Sequence, residues 1–191
     1  MDCCFSQYIS KQNLAMKIKN GRINLKLLAD SDLSRTNLSK KDLRGANLKG
    51  SKLNGIYLQG ANLQGANLQG ANLKGANLKG ANLTYVDFTG ADLRGAVLKD
   101  ATMDKTVFIG ADLSYANLTN ARINTDTNFT NATMMNIIIS DNRFHTACVT
   151  GASVKVMTFR EKFMYWFGCF GDYRDKSLKT VVPFNTVVVE C

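Results

Sequence analysis

From Leu33 to Ile123 every fifth residue is apolar: nineteen positions, fifteen of them Leu and the others Phe88, Met103, Phe108 and Ile123. A helix returns to the same face about every 3.6 residues and a strand about every 2, so a period of five requires a chain that turns a corner once per repeat. Two residues before each apolar position stands a small residue, Ala at twelve of the nineteen and Ser or Thr at four more, the exceptions being Lys41, Ile56 and Val86. Between the two lies mostly Asn or Asp, and two after the Leu lies mostly Gly, so that Gly60 to Leu83 reads Ala-Asn-Leu-X-Gly without interruption. Alternation within the repeat puts the small residue and the Leu on one face and the Asn on the other. The X-Gly pair predicts a type II turn, whose third position needs a positive φ that Gly adopts at no steric cost.

Four such corners close a square, so twenty residues make one coil. Coils stacked at the strand spacing of about 4.8 Å would pair their backbones around a column of Leu and Ala. The pattern predicts an all-β solenoid over residues 29–156, with Ile23 and Leu28 already in phase. One register change interrupts it. After Ile123 the apolar series continues at Phe129, Met134, Ile139, Phe144, Val149 and Val154, with small residues at Thr127, Ala132, Ala147 and Ala152. One residue is therefore inserted near 124–128, which predicts a bulge at a corner that leaves the coil intact.

An open solenoid exposes a greasy, unpaired edge at each end and needs caps. Residues 1–28 are expected to supply the first, with Phe5, Ile9, Leu14 and Ile18 on a short helix. Residues 157–191 form the other end, where Phe159, Phe163, Tyr165, Trp166, Phe167 and Phe170 cluster. That segment is expected to plug the last coil; a homodimer interface or a membrane-surface contact are the alternatives. Val181 to Val189, broken by Pro183, reads as a β-prone tail.

The charge is uneven. Lys and Arg total 24 against 15 Asp and Glu, a net +9 of which all lies in residues 1–80. With X residues twenty apart stacked on one side, Lys74 lies beside Arg94 and Lys79 beside Lys99, with Arg44, Lys49 and Lys52 expected to extend this basic patch. The patch reads first as a solvated face and second as a site for an acidic partner. The chemistry-bearing residues form no recognisable centre. His145 and Cys148 are three apart without a third group to orient them. Cys3, Cys4, Cys148, Cys169 and Cys191 have neither disulfide-framework nor zinc-site spacing, so no metal is expected and a reducing compartment is. Cys3 and Cys4 read as a pair packed in the cap, with palmitoylation the alternative. The glycines recur as corners rather than as a phosphate-cradling loop. The chain begins without the basic start and apolar stretch of a secretory leader, and a cytoplasmic, non-catalytic protein without cofactor is expected.

These tandem Ala-(Asn/Asp)-Leu-X-X units resemble the pentapeptide repeat family. The resemblance implies a right-handed quadrilateral β-helix. Some members of that family are negatively charged rods that mimic DNA and bind DNA gyrase; this chain departs from them in its positive charge and its Gln and Lys at X positions. Other members resemble interaction scaffolds, among them bacterial proteins delivered into host cells. The expectation is a scaffold for a protein partner, using Lys74, Lys79, Arg94, Lys99, Phe163, Trp166 and Phe167. Peripheral membrane or polyanion contact is the alternative, and nucleic acid is not the expected partner.

Overall fold

The computed structural model describes residues 11–21, 24–139 and 147–156 of the chain. The middle residue of each repeat bridges, in parallel, to the residue twenty further on, from Asp32 with Lys52 to Thr102 with Arg122. Each coil therefore has four faces. Their central positions are 32, 52, 72, 92, 112 and 133 on the first, 37, 57, 77, 97, 117 and 138 on the second, 42, 62, 82, 102 and 122 on the third, and 47, 67, 87, 107, 128 and 148 on the fourth.

One repeat shows why the sequence takes this form. The Ala66 N–H donates to the Leu63 carbonyl across the corner (2.8 Å), Asn67 N–H to Ala46 in the coil before (2.9 Å), and Leu68 N–H to Asp87 in the coil after (2.8 Å). The Gly70 N–H donates to Thr89, also in the coil after (2.9 Å). That leaves the N–H of Gln69, and the Asn67 side chain takes it: Oδ1 accepts at 3.0 Å. All five donors of the repeat are satisfied. The same bond recurs at Lys74 with Asn72, Lys79 with Asn77, Arg94 with Asp92 and Thr119 with Asn117. Asn and Asp are thus structural in this fold, because a short side-chain oxygen reaches the N–H two residues on.

The corners carry the predicted positive φ at twelve glycines, but also at ten other residues, including Arg35, Tyr85 and Tyr115. Hydrogen bonds on either side hold these residues in a conformation that a Cβ disfavours. Among the described corners only the inserted one escapes it. Thr127 N–H donates to the Asn124 carbonyl (3.1 Å), and no residue from 121 to 130 has positive φ. The extra residue lengthens one coil, so Val107 bridges Asn128, twenty-one on, and the next step, Asn128 to Cys148, returns to twenty. The coil survives the insertion, as the pattern predicts.

Inside, the Leu and Ala columns are almost wholly buried, with Leu33, Leu53, Leu73, Leu93 and Leu113 each at 0% exposure. A column that begins as Leu28, Leu48 and Leu68 continues as Phe88, Phe108 and Phe129, all inside. Their rings stack with centroids 5.0 and 4.9 Å apart and planes within 3°. The inserted residue is what brings Phe129 into that column. Where Ser or Thr replaces the small Ala, the hydroxyl is paired: Ser51, Thr106 and Thr127 donate to the carbonyls of Leu28, Leu83 and Met103 at 2.8, 2.8 and 2.9 Å.

At the N-terminal side a helix, α1 (Lys11–Lys19), buries Leu14, Ala15 and Ile18, with Leu14 and Ile18 in the same apolar cluster as Leu28 and Leu33. Gly21, at φ 64°, follows its last turn in the left-handed conformation that stops helices. A 3-10 turn, Leu25–Leu27, leads into the first coil; Asn24 Oδ1 accepts from Lys26 N–H at 3.0 Å. At the far side two longer strands, β1 (Thr133–Ile137) and β2 (Ser153–Val156), pair in parallel with a register shift between Met135 and Ile137. Ile137 fills a slot that Ala takes elsewhere, while Ile139, in a Leu slot, is only partly buried. Phe5, Ile9, Ile23, Phe144 and the segment from Phe159 to Val189 lie outside the described residues.

Candidate interaction surface

Because the backbone donors are used up internally, the groups this rod presents outward are the side chains on its faces and corners. Lys74, Lys79 and Arg94 are exposed and Lys99 half-buried. The backbone seats them as the twenty-residue period requires: Gly75 N–H donates to the Arg94 carbonyl and Gly80 N–H to the Lys99 carbonyl, each at 2.8 Å. Lys74 and Arg94 stand on the corner entering the second face, Lys79 and Lys99 on the corner leaving it.

The four are not equivalent. Arg94 is folded back onto Asp92, with Nε to Oδ1 at 2.9 Å and an Nη to Oδ2 at 2.6 Å, and reaches Asp112 at 3.8 Å. These hydrogen bonds hold the Asp92 carboxyl below its usual range, Lys74 adding a smaller pull, and raise the Arg94 guanidinium. Lys74, Lys79 and Lys99 make no salt bridge among the described residues. The expected extension of the patch needs correction. Arg44 stands on the corner between the third and fourth faces, paired with Asp42 at 2.6 Å, and Lys49 on the corner after the fourth face, aligned with Gln69. Twenty-residue stacking carries both away from Lys74; of the three only Lys52, on the first face beside Asn72, adjoins it.

A second cluster, which sequence reasoning missed, lies on the opposite side. Tyr85, at a corner with φ 61°, is 54% exposed, and Lys105 one coil on sits over its ring at 5.2 Å and donates to its hydroxyl at 3.2 Å. That bond raises the Lys105 ammonium above its ordinary value. Nearby on the fourth face, burial pushes the Asp87 carboxyl up, but hydrogen bonds from Thr89 and Gln69 outweigh it and leave it lowered. The twenty-residue spacing of Tyr85 and Lys105 was the readable signal.

Cys148 is half-buried, its Sγ 3.6 Å from Thr130 Oγ1 and 3.7 Å from Thr150 Oγ1. His145, Cys3, Cys4, Cys169, Cys191, Phe163, Trp166 and Phe167 lie outside the described residues. Among the described residues no three His, Cys, Asp or Glu side chains are grouped to hold a metal, and no helix is long and apolar enough to cross a membrane.

Residues 27–65, 61–100 and 91–124 match the model of a family described as pentapeptide repeats, in eight copies spanning just over half of the chain. The chain belongs to the pentapeptide repeat family. Among solved structures it is similar to the pentapeptide repeat protein Rfr23 of the cyanobacterium Cyanothece 51142, at 22% identity and TM-score 0.54, over 73% of this chain and 99% of that one. That likeness gives this pentapeptide repeat protein its fold, the right-handed quadrilateral β-helix. It also matches a pentapeptide repeat protein from the Arabidopsis thaliana thylakoid lumen at 26% identity and TM-score 0.19, over 74% and 79% of the two chains. A third match is QnrB1, a plasmid-mediated fluoroquinolone resistance protein, at 15% identity and TM-score 0.36, over 73% and 84%. A search of the curated proteins gives no match.

Proposed function

We propose that this pentapeptide repeat protein is a non-catalytic scaffold that displays a fixed array of side chains to a protein partner. One observation carries the reading. The interior positions repeat Leu and Ala almost without change, whereas the outward corner positions before the turn residue take Ser, Arg, Lys, Gln, Thr, Asp and Ile on a backbone whose donors are bonded within the rod. Such a rod holds surface groups in columns about 4.8 Å apart at little entropic cost on binding, which favours recognition over chemistry. α1, with Leu14 and Ile18 against the core, is read as the cap of the first coil, and residues 157–191 as the other end. The odd number of cysteines supports a reducing, cytoplasmic setting. The positive charge speaks against mimicry of DNA.

Pull-down from a lysate tests the reading, using the parent and a variant with Lys74, Lys79, Arg94 and Lys99 all changed to Glu. A stoichiometric protein partner retained by the parent and depleted by a variant of unchanged melting temperature is the expected result. Retention of nothing beyond what an unrelated rod of similar charge retains would contradict it.

A further inference from the structure

Since either oxygen type accepts the N–H two residues on, Asn and Asp are interchangeable as far as the coil is concerned: Asn72 and Asp92, neighbours on one face, make the same bond at 3.1 Å. The choice between them is therefore free to serve the surface. Asp occupies central positions on the first face (Asp32, Asp92, Asp112), the third (Asp42) and the fourth (Asp87), and none on the second, which carries Asn37, Tyr57, Asn77, Val97, Asn117 and Ile138.

The corners sharpen this asymmetry. Arg35, Lys74 and Arg94 stand on the corner entering the second face and Lys40, Lys79 and Lys99 on the corner leaving it, with Asp100 the one acid there among the described residues. The fourth face, opposite, has Arg44, Lys49 and Lys105 at its corners against Asp30, Asp104 and Asp126, with Asp87 at its centre. Apart from Arg94, the second-face cations make no salt bridge among the described residues. Moreover, Asn37 and Asn77 spend Oδ1 on the N–H groups of Ser39 and Lys79, at 3.0 and 3.2 Å, which leaves their NH2 groups as what they offer outward. The second face is thus a strip with Asn amides at three of its six centre positions and no carboxylate at any of them, roughly 10 Å wide and flanked by two rows of cations.

We propose that the second face binds an acidic segment of a protein partner, laid along the rod between the rows Arg35, Lys74, Arg94 and Lys40, Lys79, Lys99. Carboxylates meet the cations, and peptide or side-chain carbonyls accept from the Asn amides between them. A lipid surface matches the strip less well, because headgroups resting on the long corner side chains would not reach the short amides. The proposal rests on the scaffold reading above and names the partner's chemistry.

The test measures binding of a fluorescent poly-glutamate peptide to the full chain by anisotropy. Lys79→Glu/Lys99→Glu should weaken it about tenfold or more, whereas Lys49→Glu/Lys105→Glu, the same charge change around the fourth face, should stay within about threefold. Asn77→Asp, which keeps the structural bond, should weaken binding about threefold with melting unchanged. Equal losses in both double variants would reduce the effect to net charge and overturn the proposal. So would preferential binding of oligo-deoxythymidine or of phosphatidylcholine–phosphatidylserine vesicles that the Lys79/Lys99 variant abolishes. If poly-glutamate fails to bind while a lysate partner is retained and then lost only by the fourth-face variant, this proposal falls and the scaffold reading stands.

Discussion

Removing the middle ring of the aromatic column measures how far this rod depends on its interior. Phe108 is wholly buried, between Phe88 at 5.0 Å and Phe129 at 4.9 Å with parallel planes. Phe108→Ala deletes the transfer free energy of the ring and leaves a cavity that coils stacked above and below cannot collapse to fill, a cost of about 3–5 kcal/mol. The two lost stacking contacts, each about 0.5–1.5 kcal/mol, place the value in the upper part of that range. Phe108→Leu keeps an aliphatic side chain of the kind the same column uses at Leu28, Leu48 and Leu68, and should cost less, about 1–3 kcal/mol, chiefly the two lost stacking contacts. At about 2–4 °C per kcal/mol for a chain of this size, a thermal melt followed by circular dichroism should separate the two variants clearly. Because each coil contacts only its neighbours, hydrogen exchange should quicken first around residues 88–129 and leave the Leu48 coil protected. A Phe108→Ala melt within a degree of the parent, or equal costs for Ala and Leu, would show that packing in the aromatic column does not limit stability.

Other outcomes follow from the corners, the carboxylates and the buried hydroxyls. Gly80→Ala should lower stability by about 1–2 kcal/mol although its Cβ would meet nothing within 4 Å, since φ is 64°; Tyr115→Gly, relieving φ 63°, should raise it by about 1 kcal/mol, and denaturant titration reads both. Asp92, held below its usual range chiefly by Arg94, and Asp87 contribute stability that is present above the unfolded carboxylate value of about 3.9 and lost as pH falls through their lower folded values. Melting temperature should therefore be flat above about pH 5 and fall below about pH 4, and Asp92→Asn should soften the fall. Thr127→Val removes the hydroxyl bonded to the Met103 carbonyl and should cost about 1–2 kcal/mol in the same titration, with the register of Asn128 and Cys148 retained.

The period of five was enough to place the coils, because only a turn every fifth residue keeps Leu33 through Ile123 on one inner surface. The insertion after Ile123 was legible for the same reason. The role of the Asn was not, since alternation says only that it points outward; counting donors per repeat, and finding the X residue's N–H without a partner, would have found it. Tyr85, Tyr115 and Arg35 at positive φ run against local preference, which the hydrogen-bonded stack overrides. The alignment of Lys74 with Arg94 and of Lys79 with Lys99 follows from the period, but extending the patch to Arg44 and Lys49 takes nearness in sequence for nearness on a face. The charge difference between the second and fourth faces emerges only once residues are sorted modulo twenty.

Each turn of twenty or twenty-one residues advances the chain by one strand spacing. Spin labels at Ala29 paired in turn with Ile109, Thr130 and Thr150, all corner residues after the fourth face, test it by pulsed electron resonance. Narrow distributions near about 19, 24 and 29 Å are expected, rising by about 4.8 Å per coil. Broad distributions, or distances that do not climb by that common step, would contradict it.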